Sequence, residues 1–111
     1  MKYINLNQLP IKSVSHNLNI QKKTIIEKDN IPHLTNFSQA IFKSGQIATN
    51  HSHKDMWEVF FVESGRGIIK INGEEFLLEK GLYVIVEPKE NHEIINNSQE
   101  DLIINYFGIA S

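Results

Sequence analysis

From residue 37 onward the chain is a series of short β-prone runs, each cut by Gly, Asn or Pro, and this punctuation restricts the fold more than any other feature. Val59-Phe60-Phe61-Val62 stops at Ser64-Gly65-Arg66-Gly67. Ile68-Ile69-Lys70-Ile71 leads into Asn72-Gly73, a dipeptide whose tolerance of positive φ closes two-residue hairpins, and Glu75-Phe76-Leu77-Leu78 returns from it. Residues 37–42, 82–86, 92–95 and 102–107 complete the set. No convincing helical segment separates these runs. The expectation is an all-β sandwich or barrel in which consecutive strands run antiparallel.

Residues 1–36 are less patterned. Lys22-Lys23-Thr24-Ile25-Ile26-Glu27 reads as a strand, whereas the stretch from Pro10 to Asn19 is polar and ambiguous. One domain is expected overall. Residues 37–111 would form the barrel, and 1–36 an arm packed on the barrel or on a partner subunit, or a loosely ordered tail.

Within the barrel region, the segment Gly45 to Glu58 carries His51, His53 and Glu58. Residues two apart in an extended strand share a face, so His51 and His53 are expected side by side, with Glu58 joining them once the chain turns back. Two imidazoles and a carboxylate are ligands for a divalent transition ion. On the returning run, Glu58, Phe60 and Val62 share one face, and Trp57, Val59 and Phe61 the other. If Glu58 points inward, Phe60 and Val62 line the lumen as a partly apolar substrate pocket.

The chain has no cysteine, so disulfides are excluded and a metal must be held by nitrogen and oxygen. A formal net charge of −2 gives no strong pull toward nucleic acid or anionic membrane. Arg66 is the only arginine, which weighs mildly against a heavily phosphorylated substrate, since lysines can substitute as point charges. The N-terminal residues lack the apolar stretch of a signal peptide, and no run approaches a membrane span. A cytoplasmic protein is expected. The preference for Ile, Asn and Lys over Arg is that of AT-rich bacterial genomes.

Gly45, His51, His53, Glu58 and Gly65 fill the pattern G-x5-H-x-H-x4-E-x6-G, and Gly81, His92 and Asn96 fill G-x5-P-x-G-x2-H-x3-N. In these two motifs the chain resembles a small single-domain cupin. Glu87 stands at the second motif's proline position, with Pro88 one residue later, and Lys89 at its glycine position. The resemblance implies a double-stranded β-helix, a jelly-roll barrel of antiparallel strands. It also implies His92 as the fourth ligand beside His51, His53 and Glu58, around Fe, Mn, Ni, Co, Cu or Zn. The departures at Glu87 and Lys89 fall in the turn before His92 and leave the ligand position intact.

The resemblance implies a metal-dependent enzyme acting on a small organic molecule such as a sugar or carbonyl compound. Isomerase, lyase and dioxygenase chemistry all share this fold and ligand set. A small-molecule binding or sensing module is the alternative; no residues are left over for a helix-turn-helix. A metal-free structural barrel would not require these four residues. Tyr106 and Tyr83 are candidate acids, bases or substrate partners if they face the lumen, against the commoner role of buried barrel tyrosines. Gln39 could line the pocket or serve as a surface amide. Glu93 is expected opposite His92 and exposed, His16 and His33 on the surface or in turns, and Trp57 in outer packing or an interface. Lys54, Asp55 and Met56 are assigned to the turn between the ligand-bearing runs. The expected assembly is a homodimer, since a short chain gains by covering its sheet edges.

Overall fold

The punctuated runs become strands of two antiparallel sheets in the computed structural model, which describes residues 1–15 and 17–111. His16 lies outside the described residues. The strands are β1 (Lys12–Val14), β2 (Asn17–Ile26), β3 (Leu34–Phe42), β4 (Ile47–His51), β5 (Met56–Ser64), β6 (Arg66–Ile71), β7 (Glu74–Glu79), β8 (Tyr83–Val86), β9 (His92–Ile95) and β10 (Leu102–Ala110). One sheet has the order β1-β2-β3-β10-β5-β8 and the other β4-β9-β6-β7. This is an all-β jelly-roll barrel. Among the described residues no helix is long and apolar enough to cross a membrane.

The Asn72-Gly73 turn closes the β6–β7 hairpin with φ of 48° and 84°, as its composition predicts. The polar N-terminal stretch, in contrast, forms β1 and the first three residues of β2. These strands extend the larger sheet, with Lys22 opposite Ala40 and Lys23 opposite Gln39.

Alternation along the larger sheet stacks the interior in layers. The paired inward residues of β3, β10 and β5 begin with Ala40, Ile104 and Val62, continue with Ser38, Tyr106 and Phe60, and end with Asn36, Gly108 and Glu58. Ile104 and Val62 are completely buried, and with Ile69, Leu78, Leu102 and Phe42 they seal one end of the barrel. Each such side chain contributes roughly 1.5–3 kcal/mol relative to exposure. The layers grow more polar toward Glu58, so the packed core at one end supports a polar cavity at the other.

The sequence leads one to expect consecutive strands side by side, and at the two connections next to the ligands they are not. β4 and β5 belong to different sheets, and so do β8 and β9. Each connection crosses the barrel instead of closing a ladder. His51 and His92 therefore face Glu58 across the interior, from the opposite sheet.

Candidate metal centre

Glu58 is aimed by simple means. β5 lies between β10 and β8 in the middle of the larger sheet. Its inward residues Glu58, Phe60 and Val62 are buried, while Trp57 and Phe61 on the other face are exposed. Glu58 is only 6% exposed.

His51 needs more. Ala48 pairs with Ile94 and His51 with His92, so Thr49 and Asn50 together stand opposite Glu93 alone. Plain alternation from the buried Ala48 would turn His51 outward; the extra residue of this β-bulge reverses the phase and turns it in. The Asn50 N–H donates to Glu93 Oε2 at 3.1 Å, across the bulge. Glu93 is thus half-buried and braces the histidine strand, where the sequence suggested a solvated side chain. No local sequence signal marks that contact, because it joins residues 43 positions apart.

His53 lies past the end of β4, in the crossing to β5, and not on the strand face shared with His51. Its carbonyl accepts a hydrogen bond from the Lys89 N–H at 2.6 Å. Lys89 has φ of 73°, a left-handed conformation that favours glycine, the residue of the motif at this position. The departure expected to leave the ligands untouched therefore sits in the backbone that holds one of them.

The four side chains meet: one ligand atom from each of His51, His53, Glu58 and His92 lies within 4.8 Å of all the others. His53 Nε2 is 3.1 Å and His92 Nε2 3.0 Å from Glu58 Oε1. Adjacent ligands held about 2.0–2.2 Å from one ion stand roughly 3 Å apart, so these spacings suit a shared cation. His51 Nδ1 lies 2.7 Å from the Thr49 carbonyl and His92 Nδ1 3.3 Å from that of Glu90. A carbonyl can only accept, so Nδ1 carries the proton in each and the Nε2 lone pair is left for a ligand. Glu58 Oε1 and His92 Nε2 are buried without a hydrogen bond of acceptable geometry, despite their 3.0 Å approach. Buried polar atoms left so are costly, and a cation between them removes the cost. The cluster could hold a metal ion.

The cluster opens into a cavity of about 160 Å³, bounded also by Phe60, Tyr106, Ile104 and, on the β1–β2 side, Ser15 and Lys22. Pockets for drug-sized ligands are typically about 300–1,000 Å³, so this one suits a compact molecule. Tyr106 points inward and stacks on Phe60 at 5.6 Å between ring centroids. Burial pushes its phenol up to about 12, against a smaller opposing effect of the Ser38 hydroxyl, with the Glu58 carboxylate adding to the rise. Val62 shares the face of Phe60 but is sealed in the core one layer below and does not line the cavity.

Tyr83 and Gln39 are placed away from the cavity. Tyr83 pairs with the outward Phe61 and is 64% exposed on the outer face. Gln39 lies between the inward Ser38 and Ala40, so its amide points out and donates to Glu63 Oε1 and Asn105 Oδ1. His33 is an exposed turn residue, and Met56 opens β5, where its sulfur accepts from the Thr35 hydroxyl. Asn96 is completely buried. It donates to the Phe42 and Glu100 carbonyls and accepts from the Ser98 N–H and hydroxyl, so it knots the loops at the far end of the barrel.

Residues 39–107 match the Cupin domain family (Cupin_2), and the chain belongs to the cupins. It is 30% identical over 59 residues to an uncharacterized protein of Methanocaldococcus jannaschii, a match covering 53% of this chain and 47% of that one. The matched region thus spans about half the length of that curated relative. Among solved structures, a predicted oxalate decarboxylase of Thermotoga maritima superposes with a TM-score of 0.89 at 17% identity, covering 99% of this chain and 100% of the other. KdgF from Halomonas sp. superposes with a TM-score of 0.82 at 19% identity, covering 100% and 96%. At these identities the likenesses establish the fold alone.

Proposed function

We propose that this cupin binds one divalent transition ion (Fe, Mn, Ni, Co, Cu or Zn) through His51, His53, Glu58 and His92 and acts as a metal-dependent enzyme on a compact organic molecule such as a sugar or carbonyl compound. The observation that carries this reading is the convergence of four ligand atoms on a cavity, with Glu58 Oε1 and His92 Nε2 buried and unsatisfied. An ion held there supplies Lewis acidity toward a carbonyl or hydroxyl oxygen. Four protein ligands leave room for substrate in a five- or six-coordinate sphere.

The remaining chemistry belongs to the chain. Phe60 and Ile104 exclude water from one side of the ligand. Tyr106 keeps its proton at neutral pH, because its phenol is pushed up to about 12, so it acts as a hydrogen-bond donor or acid and not as a resting base. Among the three residues first considered for a catalytic role, Tyr106 alone lines this cavity.

The test begins with elemental analysis of protein purified without a histidine tag. Less than about a tenth of an equivalent of transition metal after reconstitution would remove the basis of this reading. His51→Ala and His92→Ala should each lose the ion while circular dichroism keeps its β signature. A panel of small sugars, uronates and carbonyl acids, run with and without air, then separates the alternatives. Oxygen uptake favours a dioxygenase, and tight binding without turnover favours a sensing module.

A homodimer is also proposed. The support is the outer face of the larger sheet, where Phe61, Tyr83, Ile85 and Trp57 are 43%, 64%, 53% and 40% exposed. Apolar exposure of this kind marks contact surfaces. A clean monomer by light scattering at micromolar concentration would refute it.

A further inference from the structure

Lys22 lies outside residues 39–107, the stretch on which family membership rests. Its register places it on the inner face of β2: it pairs with the buried Ala40, and its neighbour Ile20, two residues away, is completely buried. Lys23, by contrast, pairs with the outward-facing Gln39. Lys22 is half-buried and lines the same cavity as the histidine cluster, and it also borders a second pocket beside Leu6, Gln21 and Lys23.

Other lysines in this part of the barrel have partners. Lys12 binds Glu27 at 2.8 Å, Lys23 the Leu6 carbonyl at 3.1 Å, and Lys43 binds Asp101 at 2.8 Å. The Lys22 ammonium takes no hydrogen bond or close ion pair among the described residues, and its charge acts only as the lesser companion of Lys12 in lowering the exposed Glu27 carboxyl. The carboxylate that shares its cavity, Glu58, lies 3.1 Å from His53 and 3.0 Å from His92 and makes no ion pair with Lys22. A half-buried lysine in the wall of a cavity, within its flexible stem's reach of a bound ligand, favours an anion brought by that ligand. The Tyr106 side chain lines the same space and adds a neutral donor.

We infer that Lys22 is a specificity-determining residue and that the ligand is a compact hydroxy- or oxo-carboxylate, its hydroxyl or carbonyl oxygen toward the His51–His53–Glu58–His92 cluster and its carboxylate toward Lys22. This rests on the proposed metal-dependent reading for the first end of the ligand, and on Lys22 for the second. The cavity volume limits the ligand to few heavy atoms. A single ammonium, with no arginine lining the cavity, matches one carboxylate better than a phosphate group.

Lactate and lactamide have one skeleton and differ in the charged group, so they are the probes. Zinc-loaded and metal-free forms of the wild type, Lys22→Met and Lys22→Arg are titrated with each, following amide chemical shifts. Wild type should prefer lactate by roughly tenfold or more, with shifts in β2 and β10. Lys22→Met should lose about that factor for lactate and none for lactamide, and Lys22→Arg should keep the preference. Equal lactate affinity in wild type and Lys22→Met, or no lactate binding by wild type, overturns the inference. Zinc content is measured separately. Protein that binds zinc but does not discriminate the probes defeats the Lys22 assignment alone. Protein that binds none defeats the metal reading, and the metal-free titration still decides Lys22.

Discussion

β4 and β5 flank the same crossing and deliver ligands to the same cluster, yet they aim them by different means. β5 is a central strand, hydrogen-bonded to β10 and β8, and Glu58 faces inward by alternation alone. β4 is the edge of the smaller sheet, and His51 faces inward because a bulge reverses the alternation. The β4 side then depends on long-range ties: Asn50 N–H to Glu93, and Lys89 N–H to the His53 carbonyl. A central strand aims its residues by local period; an edge strand has only one ladder and must be held by contacts from elsewhere.

The largest expected effect follows from shifting the phase of β4. An alanine inserted between Asn50 and His51 takes the place opposite His92 and moves His51 one position on, to the other face, so bound metal should fall at least about tenfold while the β signature persists. Elemental analysis with circular dichroism checks this, and an insertion variant that keeps its metal breaks the comparison.

Next come the two glycines that bound the limbs. Both have positive φ, 82° at Gly45 before β4 and 85° at Gly65 after β5. A Cβ at Gly45 would meet open space, whereas at Gly65 it would overlap the Asp101 carbonyl and approach Leu102 Cα at 2.9 Å. Gly65→Ala should therefore cost upward of about 3 kcal/mol and Gly45→Ala about 1–2 kcal/mol in urea unfolding. Similar costs at the two sites would mean that the β5 end is not the more tightly packed.

A pH effect tests the packing beside β5. Tyr106, opposite Phe60, is raised from 10.0 to about 12. The unfolded chain releases that proton first, so stability is fully present below about pH 10 and is lost as pH rises toward 12, by up to about 2–3 kcal/mol. Tyr106→Phe should lack this part of the alkaline loss. Urea midpoints measured at pH 8, 10 and about 11.5 provide the check; parallel profiles would place Tyr106 in a wetter site.

The smallest effect is on the β4 side. Lys89→Gly relieves a left-handed residue at φ 73° but adds freedom to the unfolded chain, for a net gain of about 0.5–1 kcal/mol in thermal or urea unfolding. A loss of stability would assign the Lys89 side chain a role beyond its backbone hydrogen bond.

Much of this was legible from the residues. The Asn72-Gly73 turn, the buried face of Glu58, Phe60 and Val62, and the convergence of His51, His53, Glu58 and His92 all match the sequence reading. The turn has its own dihedral preference, and β5 alternates without interruption from Trp57 to Val62, its pairing with β10 slipping only at Glu63. Other features depended on partners far along the chain. Tyr83 faces out because it pairs with Phe61, and Tyr106 faces in because it pairs with Phe60. Lys22 reaches the cavity because β2 pairs with β3, a pairing that the polar N-terminal stretch does not announce.

By itself, the sequence determined which runs from residue 37 onward form strands, where turns break them, and that His51, His53 and Glu58 carry ligand atoms, each from residue type and short spacing; His92 joined them through the resemblance of its motif. Tertiary structure decided that the ligand-bearing strands lie in opposite sheets, that a bulge turns His51 inward, and that Lys22 shares the cavity with the cluster. Alternation gives only the relative facing of neighbours along one strand. Its absolute phase is set by cross-strand register, which forms between residues tens of positions apart.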